Sequence, residues 1–175
     1  MTAAELNPAA AKDMGPGNLT DDAVLAVGDV VAGAVFPITR DSLVRYAGAS
    51  GDFNAIHYRD DVAAAVGLPG VLAHGMLTMG LAVQPVIDWL GDPGRVLDYQ
   101  VRFTRPVVVD PVEGAELIVS AKVGKITPEA DAAPATADAP ATAATPATAR
   151  IDLTVTYNGD TVLGKAQVVI ALAGR

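Results

Sequence analysis

The sequence predicts an α+β fold in which one long helix is wrapped by a curved antiparallel sheet. Three observations lead to this prediction. Residues 74–90, HGMLTMGLAVQPVIDWL, are apolar almost all the way round a helix, so this helix should be buried and needs cover on most sides. Four strand-like runs follow it, and NGD at 158–160, between the last two, signals a tight hairpin turn. An antiparallel sheet curved around the helix would provide the cover.

Two elements are predicted at the start of the ordered chain. DVVAGAVFPI (29–38) has the pattern of a strand, and TRDSLVRYAGAS (39–50) that of an amphipathic helix. Thr39 is a candidate N-cap of this helix, and Gly48 or Gly51 is expected to close it.

The remaining elements follow in order. DDVAAAVG (60–67) predicts a short helix that stops before Pro69, and 74–90 predicts a helix about 25 Å long. The predicted strands after it are 96–109, 115–126, 150–158 and 161–173.

The chain of 175 residues is expected to form one domain, over 22–175, with a flexible tail at 1–21. An insert at 128–149 contains ADAAPATADAPATAATPATA, which uses four residue types and repeats PAT. Its prolines oppose helix formation and it offers nothing large to bury, so we expect a disordered loop. Strand-like sequence on both sides predicts that it joins two neighbouring antiparallel strands.

Charge and composition narrow the function classes. The formal net charge of −8 argues against a nucleic-acid partner and disfavours an anionic membrane surface. The absence of cysteine removes disulfides, thiolate metal sites and a cysteine nucleophile. No secretory signal is visible and no uninterrupted apolar segment is long enough to span a bilayer, so we expect a cytoplasmic protein.

The segment GDFNAIH (51–57) gathers Asp52, Asn54 and His57, one of only two histidines in the chain. On a continuous helix Asp52 and His57 would diverge, so they can converge only if this segment is a loop, which Gly51 favours. A carboxylate and an imidazole in one pocket can share a water and move its protons. The spacing alone is weak, since a capping aspartate, a turn asparagine and a surface histidine would look the same.

The second histidine lies in AHGMLTMG (73–80), where Gly75 is expected to open the long helix. The first turn of a helix has unpaired N–H groups and a partial positive charge, so it can hold an oxygen that becomes negative during reaction. His74 is a candidate ligand contact or base, although a satisfied residue at the helix start is the simpler interpretation. A metal site of Asp52, His57 and His74 is a further alternative, poorly matched by histidines that share no compact motif.

Together, YAGASGDFNAIHYRDDVAAAVGLPGVLAHGMLTMG (46–80) resembles the signature of the MaoC-like dehydratases, the hydratase 2 family, and the likeness covers most of 25–127. Within the family it is greatest to catalytic subunits of actinobacterial (3R)-hydroxyacyl-carrier-protein dehydratases. The resemblance implies the hotdog fold, in which a curved antiparallel sheet wraps a long helix. It also implies pairing as a homodimer or as a heterodimer with a related hotdog subunit.

The resemblance implies a hydro-lyase of fatty acid metabolism that interconverts (3R)-hydroxyacyl and trans-2-enoyl thioesters. Asp52 and His57 would be the catalytic pair, Gly75 would bind the thioester carbonyl and Asn54 would support the pair. His74 and Met76 are further candidates for substrate contact. No cofactor and no metal is implied. One departure is Ala55, where the family usually has proline.

Several alternatives stay open. An acyl thioesterase is one, although the long helix carries only Asp88 as an acid, near its far end. A non-catalytic hotdog partner subunit is another, and it would be expected to lack the Asp/His pair. The carrier, coenzyme A or acyl carrier protein, stays undecided, with Arg102, Arg105 and Lys122 as candidate phosphate contacts. The acyl chain length depends on the space behind Met76, Met79 and Leu81.

Overall fold

The predicted α+β arrangement is confirmed by a computed structural model that describes residues 25–130 and 145–172. The predicted tail at 1–21 and the part of the predicted disordered insert at 131–144 lie outside the described residues. No helix within the described ranges combines the length and apolarity that crossing a bilayer requires.

Within 25–130 and 145–172, six strands form one antiparallel sheet in the order β1-β3-β4-β6-β2, and the short β5 pairs with β4. The strands are β1 (Val30–Ile38), β2 (Val96–Phe103), β3 (Ala115–Thr127), β4 (Thr148–Tyr157), β5 (Asp160–Thr161) and β6 (Leu163–Ala171). Alternate residues of β3, β4 and β6 are buried, as in LIVSAKV of β3, so one face of the sheet forms the core.

Three α-helices lie between β1 and β2: α1 (Arg40–Ser50), α2 (Asp60–Ala65) and α3 (Gly75–Leu90). Thr39 is the N-cap of α1 as predicted, and it forms a capping box with Ser42. Of the two candidate glycines, Gly51 closes the helix, in the left-handed conformation with φ of 78°.

The long helix α3 packs against β1, β2, β3 and β4, and its buried side includes Ala82, Val86 and Trp89. The expectation that this helix is buried is confirmed for most of its surface but not for all of it. A stripe at four-residue spacing is exposed, because the sheet covers the helix from one side only. This stripe consists of Met76, Gly80, Gln84 and Asp88.

The two hairpin predictions agree with the structure. Strands β3 and β4, which flank the insert, pair antiparallel, and a bridge between Ala130 and Thr145 extends their ladder. Asn158 and Gly159 both have positive φ, 50° and 81°, as a two-residue turn of type I′ requires.

The predicted strand 96–109 ends early, at Phe103. Pro106 lacks an N–H group for a ladder, and the N–H groups of Thr104 and Arg105 both turn to the carbonyl of Val162. Residues 107–109 then pair with residues 71–73 instead of continuing along β6. Leu72 of the same segment donates its N–H to the carbonyl of Ile56 at 3.1 Å, which places the segment before α3 beside the loop that follows α1.

Candidate active site

The loop after α1 is held by a chain of short-range hydrogen bonds. The Oγ of Ser50 accepts from the N–H of Asp52 at 3.2 Å, and the Oδ1 of Asp52 accepts from the N–H of Asn54 at 3.2 Å. The Oδ1 of Asn54 accepts from the N–H of Ile56 at 3.3 Å and caps a 3-10 turn over Ala55–His57. Aspartate and asparagine favour such turns because their side chains replace backbone acceptors. The segment is therefore a structured loop rather than a helix, as the convergence of Asp52 and His57 requires.

His57 ends this turn and is 8% exposed. Its Nδ1 lies 2.8 Å from the carbonyl oxygen of Leu72, in the segment that pairs with residues 107–109. A carbonyl oxygen only accepts, so Nδ1 carries the proton and donates it. In neutral His57 the lone pair therefore resides on Nε2, which makes this nitrogen the basic atom of the ring.

His74, directly before α3, is almost fully buried at 1% exposure. Its Nε2 lies 3.2 Å from the backbone carbonyl oxygen of Asp52, so by the same reasoning Nε2 is the protonated nitrogen. Its ring stacks on that of His57 with centroids 3.8 Å apart and planes inclined by 23°. The ring of Tyr46 also packs on the ring of His74, with centroids 4.8 Å apart and planes inclined by 56°.

Burial is the main reason why the pKa of His74 is lowered from its ordinary value, and the nearby His57 acts in the same direction. The hydrogen bond to the Asp52 carbonyl opposes this shift without cancelling it. His74 is therefore neutral at pH 7. Among the described residues its Nδ1 is buried and has no hydrogen-bond partner.

The carboxylate of Asp52 is exposed and completes the cluster: one side-chain ligand atom each from Asp52, His57 and His74 lies within 4.8 Å of the others. The stacked rings do not favour a metal ion, however. A nitrogen lone pair lies in its ring plane, and nearly parallel planes 3.8 Å apart do not converge on an ion about 2 Å from both nitrogens. The arrangement suits a water molecule shared by a carboxylate and an imidazole.

The N-terminus of α3 lies beside this cluster because His74 is its N-cap and Gly75 its first residue. The His74 side chain makes no capping bond, so the first-turn N–H groups are not satisfied by the cap. A cleft of about 290 Å³ opens at this helix end and is lined by Gly75, Thr78, Phe103 and Arg105, with Ala73, Thr104, Pro106, Val107, Val162 and Leu163. The first residue of the helix, Gly75, therefore borders space that a ligand can enter.

Residues 25–132 match the family model for the MaoC-like domain, which is more than half of the chain. The chain belongs to the MaoC-like family. It is 37% identical over 81 residues to 3-hydroxyacyl-thioester dehydratase X of Mycobacterium tuberculosis, an alignment that covers 46% of this chain and 28% of that protein.

Two solved structures extend this similarity to the fold. A MaoC-like dehydratase matches 91% of this chain and 44% of its own, with a TM-score of 0.73 and 34% identity. The R-hydratase PhaJ1 of Pseudomonas aeruginosa matches 84% of this chain and 82% of its own, with a TM-score of 0.64 and 27% identity. The predicted hotdog fold is confirmed. The chain spans less than half the length of dehydratase X and of the first of these structures.

The structure brings most of the predicted site residues of this MaoC-like chain together. Asp52, His57 and His74 form one cluster, Asn54 caps the turn that carries His57, and Gly75 follows His74. Met76 follows Gly75 in α3, but it is 58% exposed on the stripe described above and does not line the cleft.

The predicted phosphate contacts separate in space. Arg105 lines the cleft and lies 3.8 Å from the carboxylate of Asp160, in a partly exposed pair. Arg102 is exposed on β2, and Lys122 is exposed on β3, opposite Val30; neither lines the cleft. Met79 and Leu81 are half-buried on α3.

Sequence reasoning missed three contributors to the site. Leu72 acts through its backbone carbonyl, for which no side-chain signal exists. Phe103 was assigned to a strand interior, but it closes the space beside Gly75. Tyr46 packs on His74, and its position at the start of the recognised motif was the signal that could have identified it.

Proposed function

We propose that this MaoC-like chain catalyses the reversible addition of water to a trans-2-enoyl thioester, which gives a (3R)-hydroxyacyl thioester. The observation that carries this proposal is the Asp52 carboxylate and the basic Nε2 of His57 beside the uncapped N-terminus of α3. The carboxylate and the imidazole can handle protons, and the helix N-terminus can stabilise negative charge. Hydration of an enoyl thioester needs both functions.

In the hydration direction, Asp52 and His57 hold one water molecule. The carboxylate accepts one O–H of this water and Nε2 of His57 accepts the other. The water oxygen adds to the β-carbon, and the proton released by the water is delivered to the α-carbon. Hydroxyl and hydrogen of one water thus end on neighbouring carbons, and dehydration follows the same path in reverse.

When the water oxygen adds to the β-carbon, the electron pair of the double bond moves towards the thioester carbonyl oxygen. The N–H of Gly75 and the partial positive charge of the helix end would stabilise this oxygen. Losing one such donor typically costs about 10²–10³-fold in kcat. Asn54 would act indirectly, by capping the turn that carries His57.

The substrate is an acyl group on coenzyme A or on an acyl carrier protein, and we propose that Arg105 contacts a phosphate of the carrier. Its guanidinium is half-exposed at the cleft that begins at Gly75. It lies 3.8 Å from Asp160 and donates from Nη1 to the carbonyl of Thr161 at 3.3 Å, and exposed contacts of this kind contribute little and can be exchanged for a phosphate. Since the chain carries a net charge of −8, an anionic carrier needs a local cation of this kind.

We also propose that the chain pairs with a second hotdog domain, either a copy of itself or a related subunit. Support comes from β2, which is an edge of the sheet within the described residues and exposes Leu97. An unprotected edge with apolar side chains is a surface that a second sheet can cover.

The test is hydration of trans-2-enoyl thioesters, short and long, on coenzyme A and on acyl carrier protein. Wild type is compared with Asp52→Asn and His57→Ala. We expect each variant to lose about 10²–10⁴-fold in rate, the usual contribution of a positioned acid or base. Wild type without hydration of any of these substrates, or variants as fast as wild type, would contradict the proposal.

Asp88→Asn is the matched control. Asp88 is an exposed carboxylate on α3 and accepts a hydrogen bond from Gln84, and at 1.5 Å per residue it lies about 20 Å from the helix start. We expect it to leave hydration unchanged. Release of free thiol from the same thioesters is followed in parallel, because a thioesterase would release it and a hydratase would not.

A further inference from the structure

His74 is a buried titratable residue that the proposed reaction does not use directly. At 1% exposure its side chain is almost fully buried, and its ring stacks on that of His57. It nevertheless contacts both members of the pair. Its role should therefore be sought in those two contacts.

The first contact is with Asp52. The Nε2–H of His74 donates to the backbone carbonyl of Asp52 at 3.2 Å, across 22 residues of sequence. The other hydrogen bonds that shape the loop at Asp52 come from residues within two positions of it. His74 is thus the side chain that ties Asp52 to the start of α3.

The second contact is with His57. The rings stack at 3.8 Å, and the hydrogen bond from Nδ1 of His57 to Leu72 constrains the same ring at its edge. A stacked face and a bonded edge together restrict rotation of the imidazole. The direction of the basic Nε2 is set by these two constraints.

The second ring nitrogen of His74, Nδ1, indicates that packing alone does not explain a histidine at this position. Nδ1 of His74 is buried without a partner among the described residues, which costs stability. A phenylalanine ring has similar size and would stack on His57 without that cost. What phenylalanine could not supply is the donor to Asp52.

We propose that His74 is a positioning residue whose single buried ring aligns Asp52 through a hydrogen bond and His57 through stacking. The proposal rests on the proposed function, because the pair that it aligns is the proposed catalytic pair. It differs from a substrate-binding role for His74, which would require contact with the thioester.

The test uses two substitutions that separate the contacts. His74→Phe keeps an aromatic ring and removes the donor, whereas His74→Gln keeps an amide donor in place of Nε2–H and removes the ring. Tyr99→Phe is the control, since it also removes one side-chain donor to a backbone carbonyl, that of Met79 at 2.8 Å, away from the pair. For each protein kcat, KM and the melting temperature are measured.

We expect kcat of His74→Phe to fall about tenfold or more, with KM within about twofold of wild type and the melting temperature unchanged or higher. His74→Gln should recover part of kcat, and Tyr99→Phe should keep it. Wild-type kcat in His74→Phe would overturn the proposal. So would a loss that parallels a fall in melting temperature, or a raised KM at unchanged kcat, which would make His74 a substrate contact.

A second readout does not depend on turnover. The chain has two histidines, so in both variants of His74 the imidazole NMR signals belong to His57 alone. His74→Phe keeps a ring stacked on His57, and His74→Gln loses it. The His57 signals of His74→Gln should therefore be shifted and broadened relative to those of His74→Phe, and identical spectra of the two variants would contradict the positioning role. If wild type does not hydrate enoyl thioesters but this change is seen, the proposed function fails and the positioning of His57 by His74 stands.

Discussion

The aromatic ring of Phe103, on the edge strand β2, lies against Gly75 at the start of α3. A methyl group built on Gly75 would approach the Cε1 of Phe103 to 3.1 Å, closer than an ordinary van der Waals contact. The ring is 52% exposed, so it can move aside. Between them, these residues shape the opening through which a carbonyl group would reach the first N–H of the helix.

Gly75→Ala should therefore impair activity more than stability. Because the ring can yield, and alanine is the better helix former, we expect the free energy of unfolding to change by less than about 1 kcal/mol. The displaced ring and the new methyl group would narrow access to the Gly75 N–H, and we expect kcat to fall by about tenfold or more. Urea denaturation and enoyl-thioester hydration measure the two effects.

Phe103→Ala provides the matched control for this substitution. If the ring transmits the effect, the double variant Gly75→Ala/Phe103→Ala should be more active than Gly75→Ala alone. Equal activity of the double and single variants would show that the methyl group obstructs the site by itself. A large loss of stability in Gly75→Ala would contradict the expected movement of Phe103.

The buried, neutral state of His74 predicts a dependence of stability on pH. Its folded-state pKa is lowered from 6.5, so below pH 6.5 the unfolded chain takes up a proton that the folded chain does not. The contribution of His74 to the free energy of unfolding is therefore constant above that pH and decreases as the pH falls towards the folded pKa. Each unit of pKa lowering corresponds to about 1.4 kcal/mol.

His74→Phe removes this titration while leaving the other ionisable groups in place. We expect the stability of wild type relative to His74→Phe to fall between pH 7.5 and pH 5, as measured by urea denaturation at several pH values. A difference between the two proteins that does not vary over this range would show that His74 titrates alike in the folded and unfolded chains.

Ala55, where the family usually has proline, predicts a stabilising substitution. It is the first residue of the 3-10 turn, a position whose N–H has no partner within the turn. Asn54 before it has φ of −61° and ψ of 123°, which a following proline allows. We expect Ala55→Pro to raise the free energy of unfolding by about 0.4–1 kcal/mol, because the unfolded chain loses conformational freedom.

Ala55→Gly should have the opposite effect, since glycine increases that freedom. Thermal denaturation of both variants beside wild type tests the pair of expectations, and hydration should persist in Ala55→Pro. Destabilisation by proline would mean that the turn needs a backbone conformation or a donor at residue 55 that proline cannot supply.

Most secondary structure was predictable because its causes are local. The capping box at Thr39 and Ser42, the left-handed Gly51 and the two-residue turn at Asn158 and Gly159 each depend on a few neighbouring residues. Similarly, alternation along β3 and β4 reports which side chains face the core. Patterns of this kind specify the elements and their approximate bounds.

The sequence predictions failed where the outcome depends on contacts between segments that are distant along the chain. Residues 107–109 carry a strand-like pattern, but they leave β2 and pair with residues 71–73. The apolar surface of α3 suggested burial on all sides, whereas the sheet reaches only part of it and leaves Gly80, Gln84 and Asp88 exposed. Neither outcome follows from the local pattern, because both depend on which partner is nearby in the fold.

By itself the sequence determined an α+β chain of the MaoC-like type and the residue types of the candidate site. The tertiary structure alone decided how these residues meet: Leu72 orients the imidazole of His57, and His74 is buried against it and bonded to Asp52. The reason is physical. The tautomers, stacking and burial of His57 and His74 depend on partners 15 to 22 residues away along the sequence. Only folding brings such partners within contact distance.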